Sequence, residues 1–151
     1  MAGGQSTNKP GPELAIKLAF GVPATEFSFE FVQGMANRMS VSFFKYGDVP
    51  SAKGKVNEVE SLKKRLELYE KGGKLKDGTE VAPGNTEYLM DVANFAMIEF
   101  MHRGTDAFRA TDSHESPGLT LVNGQQTDSP HTYTEQQVSE ATAKFYKRQG
   151  D

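Results

Sequence analysis

The residues best suited to chemistry lie in and beside one unusually apolar stretch. Residues 89–101 read LMDVANFAMIEFM, with ten of thirteen positions apolar. A helix that is apolar on nearly every face is central and buried. At about 100° per residue, Glu87, Asp91 and Asn94 fall within roughly 60° of one another, while Glu99 stands roughly 120° from Glu87. They form a narrow polar stripe along a greasy helix. Burying an unpaired carboxylate costs several kcal/mol, a large share of a small domain's stability. The stripe must therefore face solvent, pair with a neighbouring Arg or Lys, or hold a cation. Mg²⁺ suits the last case, with Mn²⁺ as its substitute, because it takes hard oxygen ligands from one or two carboxylates plus substrate phosphates.

The preceding helix supplies the nearest partners. A short connection makes it antiparallel to the acidic one, which puts its last turns, with Glu67 and Glu70, beside Glu87 and Asp91. Together these four carboxylates make one acidic cluster, the place where a cation and a phosphate-bearing ligand would sit. Residues 53–76 carry eight Lys or Arg against four Glu. Lys63, Lys64, Arg65 and, from the first helix, Arg38 are placed to offset phosphate charge, with Asn94 orienting a ligand or a metal-bound water. A solvated face with pairs such as Glu60–Lys64 and Glu67–Lys71 accounts for the same charges. Glu58, Ser61 and Arg65 make another polar line toward the other end of that helix.

Other chemistry finds less support. His102, His114 and His131 are dispersed. His102 falls near Asp91 in angle but roughly 16 Å along the axis, too far to share a metal, and reads as a surface histidine at a helix end. Ser113, His114 and Glu115 are adjacent in sequence, and neighbours seldom point at one site. No glycine-rich phosphate loop is present. Phe27, Phe29, Phe31, Phe43 and Phe44 recur as core or oligomer packing rather than as a base-stacking platform.

Three helices must position these residues. Val32, Met35, Ala36, Met39 and Phe43 mark one buried face of a first helix running from a Thr25 cap to Tyr46. Val56, Val59, Leu62, Leu66 and Tyr69 mark a second over about 52–71, closed by Gly72-Gly73. Asn85 or Thr86 caps the third, which reaches about residue 102, after a loop with a small hairpin around Asp77-Gly78. The chain divides into a disordered lead at 1–12, a helical core domain at 13–104, a polar extended segment at 105–133 and a C-terminal helix within 134–151. Residues 13–22 (ELAIKLAFGV) are apolar but too short for periodicity to choose between helix and strand. The polar segment has only seven hydrophobic residues in 29. Thr134 to Gln137 forms a capping box for the last helix, to about Gln149.

The 151 residues contain 36% hydrophobic residues, 10 Phe, 6 Met, no Trp and no Cys, enough for one lean domain without disulfides or thiolate chemistry. A net charge of −3 leaves no positive field for nucleic acid, and no basic helix is available to enter a DNA groove. No run of 18 apolar residues and no apolar signal core are present, so a cytoplasmic location without membrane contact is expected. Three helices of this length have too little interior for their Phe and Met. The expected fold is all-α, a helical half-bundle completed by homo-oligomerisation.

Glu67-x-x-Glu70 at the end of one helix, followed by Glu87 and Asp91 opening the next, resembles the MazG-like all-α nucleoside triphosphate pyrophosphohydrolases. The run DVANFAMIEF from Asp91 resembles the D-x-x-N-Y/F-A stretch of phage-encoded MazG-like groups. Lys45-Tyr46-Gly47 through Ser113–Gly118 is similar to small actinobacteriophage proteins. The resemblance covers roughly residues 30–102. It implies Mg²⁺ held by Glu67, Glu70, Glu87 and Asp91 and cleavage of a nucleotide to monophosphate and pyrophosphate in the host cytoplasm. Here the second pair is spaced E-x-x-x-D where the superfamily has E-x-x-D, and a doubled Glu before the first pair is missing. The alternative is a non-catalytic phage accessory protein that binds a host protein or sequesters a nucleotide, or a virion structural component.

Overall fold

The structure, a computed structural model, describes residues 9–110 and 118–126 together with Glu140 and Ala143. Its main elements are three α-helices: α1 at Phe29–Tyr46, α2 at Glu58–Lys71 and α3 at Glu87–Arg103. A minimal hairpin, β1 at Gly73–Lys74 and β2 at Glu80–Val81, separates α2 from α3. The chain divides into a unit ending at His102 and a second beginning at Arg103. All three helices belong to the first, but for the last residue of α3.

Local chemistry explains where each helix starts. Pro23 and the 3-10 turn Ala24–Glu26 leave Phe27 extended, so α1 starts at Ser28 rather than at Thr25. The Ser28 hydroxyl accepts from the Phe31 amide at 3.1 Å, satisfying one of the unpaired donors of the first turn. Helix α2 begins six residues later than periodicity suggests. Pro50–Ala52 forms its own 3-10 turn, and Gly54 at φ +79° breaks the path before Asn57 caps α2 through the Glu60 amide. At the other end, the Gly72 amide donates to Leu68 at 2.9 Å with φ at +69°, a conformation that favours glycine.

The hairpin pairs Gly73 with Val81 and Lys74 with Glu80 around the Asp77-Gly78 turn, where Asp77 Oδ1 accepts from the Thr79 amide at 2.9 Å. Gly84 then donates to the Tyr69 carbonyl at 2.7 Å, tying the connection back onto α2. Asn85 Oδ1 accepts from the Glu87 amide at 3.1 Å and opens α3. Gly34 sits where α1 meets α3: a Cβ there would lie 2.5 Å from the Met90 thioether.

Burial departs from a normal core. Among the described residues no hydrophobic side chain is buried, and the three buried residues are Glu58, Asp91 and Asn94. Val32, Met35 and Met39 on the expected inner face of α1 are half-buried, whereas Ala36 is exposed and Phe43 is 55% exposed.

The second unit contains the 3-10 turn Thr105–Ala107 and a Thr120–Gln126 bridge around Asn123-Gly124. Of the expected disordered lead, residues 1–8 lie outside the described residues, as do 111–117 and 127–133 of the polar segment. The expected C-terminal helix lies outside them too, except for Glu140 and Ala143, which are helical.

Candidate functional site

The polar stripe of α3 meets α1 and α2 through arginine. Arg38, three turns into α1, places Nε 2.5 Å from Asp91 Oδ1 and Nη2 3.1 Å from Oδ2, a two-pronged grip on one carboxylate. Its Nη1 also donates to Glu87. From α2, Arg65 Nε donates to Asp91 Oδ2 at 3.1 Å, and its guanidinium lies 5.6 Å over the Phe95 ring. One carboxylate thus links three helices. The Arg38 pKa is held above its ordinary value, first by the hydrogen bond to Asp91 and then by the nearby charges of Asp91 and Glu87, with desolvation opposing. One turn along, Asn94 Nδ2 donates to the Met35 carbonyl at 3.1 Å, and its buried Oδ1 has no partner among the described residues.

This geometry brings together Arg38, Arg65, Glu87, Asp91 and Asn94, and leaves Glu67, Glu70 and Lys64 exposed on α2. Glu67 lies 3.9 Å from Lys71, as a surface pair one helical turn apart. Among the described residues no three His, Asp or Glu side chains converge to hold a metal ion. Of the expected ligand set, Glu87 and Asp91 therefore meet arginine, while Glu67 and Glu70 stand exposed on α2. Both oxygens of Asp91 accept from guanidinium donors, and Glu87 accepts from Arg38. Arg38 and Arg65, the arginines expected to meet a phosphate, pair with these carboxylates.

A second polar contact joins the opposite ends of α2 and α3. His102 Nδ1 lies 2.5 Å from Glu58 Oε1, with both side chains about nine-tenths buried. The approach is close but is not an aligned hydrogen bond, because Oε1 has no well-directed donor. His102 Nε2 is 3.0 Å from the Val49 carbonyl, which can only accept. Both ring nitrogens therefore lie beside oxygen acceptors. His102 is thus a buried tie rather than the surface histidine expected. The pair edges an open cleft of about 430 Å³ lined by Lys53, Lys55, Asn57, Glu99 and the pair itself. Sequence reasoning missed this contact although its signal was present: antiparallel α2 and α3 place the first residue of one beside the last turn of the other.

No family model, curated protein or solved structure matches the chain. No helix among the described residues is long and apolar enough to cross a membrane.

Proposed function

We propose that this chain acts without catalysis, as a helical module that assembles with copies of itself and through that assembly holds a protein partner in the cytoplasm. The observation that carries this reading is the inverted burial. Among the described residues those shielded from water are Glu58, Asp91 and Asn94, while Phe29, Phe43, Phe44, Phe100 and Met101 remain 49–78% exposed. Apolar burial is the dominant driving force of folding. A chain that leaves this much of it unused needs another surface to supply it, and obligate oligomers often have no stable folded monomer. The Arg38–Asp91–Arg65 junction fits the same reading. A buried ionic contact contributes little net stability but can fix the register of packed helices.

The test sets assembly against hydrolysis. The purified chain should run as a multiple of 16.6 kDa by light scattering at micromolar concentration. It should release no pyrophosphate from a panel of nucleoside triphosphates with Mg²⁺ or Mn²⁺. Metal-dependent turnover would restore the hydrolase expected from the resemblance.

A further inference from the structure

The apolar segment that precedes α1 adopts no regular secondary structure between Gly11 and Ala19. Leu14, Ile16 and Leu18 recur at every second residue and are 84%, 47% and 39% exposed. The residues between and around them are Glu13, Ala15, Lys17 and Ala19. This is the alternation of a strand with one apolar face. Its ends are defined. Pro10 and Pro12 precede it, and the Val22 amide closes a turn onto the Ala19 carbonyl at 3.1 Å, with Gly21 at φ +89° and Pro23 following. Among the described residues no backbone hydrogen bond engages residues 9–18.

We infer that Glu13–Ala19 pairs antiparallel with the same segment of a second copy, about a two-fold axis through Ile16. Among registers that keep the apolar residues on one face, this one opposes Leu14, Ile16 and Leu18 only to one another, whereas an axis through Ala15 sets Leu18 against Pro12 and one through Lys17 sets like charges face to face. Leu14 then opposes Leu18 of the second copy, Ile16 opposes its own counterpart, and all six large side chains share one face. On the other face Lys17 opposes an alanine and stands diagonal to Glu13 of the second copy, within the ~7–8 Å that a long side chain spans. An isologous contact of this kind closes on itself and leaves no open end.

A two-stranded ribbon is marginal alone and needs an apolar layer beneath it. The helices offer exposed apolar residues for it, among them Phe44 on α1 and Phe100 and Met101 on α3. Phe20, fully exposed at the corner of the turn, adds the ~150–250 Å² an aromatic ring can bury. The inference rests on the assembly reading and specifies its seam.

The chain has no cysteine, so single-cysteine variants report position without background. Paired residues at the axis are ~4.5–5.5 Å apart between Cα atoms, within disulfide range. Leu14 and its own counterpart are about four residues, or ~14 Å, apart along the ribbon, beyond that range. Under mild oxidation at micromolar concentration, Ile16→Cys should convert to a covalent dimer. Leu14→Cys and Leu18→Cys should each stay uncrosslinked alone and form a mixed disulfide when combined. Ile16→Lys, which sets two like charges face to face, should weaken assembly about tenfold. Failure of Ile16→Cys to cross-link, or equal cross-linking by Leu18→Cys alone, overturns the pairing. Light scattering of reduced Ile16→Cys separates the two claims. An oligomer that does not cross-link removes only the ribbon, whereas a monomer removes the assembly reading as well.

Discussion

Asp91 concentrates the chemistry of the molecule in one carboxylate, and the two guanidinia on it reverse the expected effect of its substitution. Beside Glu87 alone, Asp91→Asn would relieve repulsion and stabilise the chain. With Arg38 and Arg65 converging on it, the same change leaves two cations facing a neutral amide. Breaking a fully buried pair costs ~3–5 kcal/mol, but both arginines are more than a third exposed, so screening lowers the cost here to about 2 kcal/mol. Chemical denaturation of Asp91→Asn measures it, and unchanged or increased stability would contradict the clamp. Under the proposed non-catalytic role, neither wild type nor variant should melt higher with millimolar Mg²⁺. His102→Ala should cost about 1–3 kcal/mol, since it leaves the buried Glu58 carboxyl and the Val49 carbonyl without their neighbour. The sequence located the polar stripe correctly but could not choose its partner. Helical spacing fixes which residues share a face, whereas whether a carboxylate meets metal or arginine depends on the approach of α1, which lies some fifty residues away.

Helix identity was legible in the sequence, and helix starts were less so. The period of Val32, Met35 and Met39 and the glycine after each of α1 and α2 locate those helices well. Their beginnings depend on competition between neighbouring caps, which is why Ser28 displaced Thr25 and Asn57 displaced the turn after Pro50. The Asp77-Gly78 hairpin gives a pH prediction. Hydrogen bonding from Thr79 holds the Asp77 carboxyl below its ordinary 3.8. Its contribution is therefore fully present above that value and is lost as pH falls through the lower folded value. The Thr79 amide resonance should shift in that acid window, and Asp77→Asn should abolish the transition while keeping the turn. A Thr79 resonance that titrates above pH 3.8 would contradict the assignment.

At the scale of the whole molecule, the sequence signalled too many Phe and Met for its helices to enclose, and the structure bears this out in the absence of any buried hydrophobic residue among those described. What composition could not reveal is that burial is reserved for polar junctions, since that depends on how the helices cross. Residues 13–22 are too short to read as helix or strand from sequence, and the structure leaves 13–19, the segment of the proposed ribbon, without regular secondary structure. Sedimentation velocity on the wild-type chain, from one to one hundred micromolar, tests the central claim most directly. The account predicts a species of at least twice 16.6 kDa that dissociates on dilution only together with loss of helical signal. A single 16.6 kDa species that keeps its helicity and melts cooperatively across that range would contradict it.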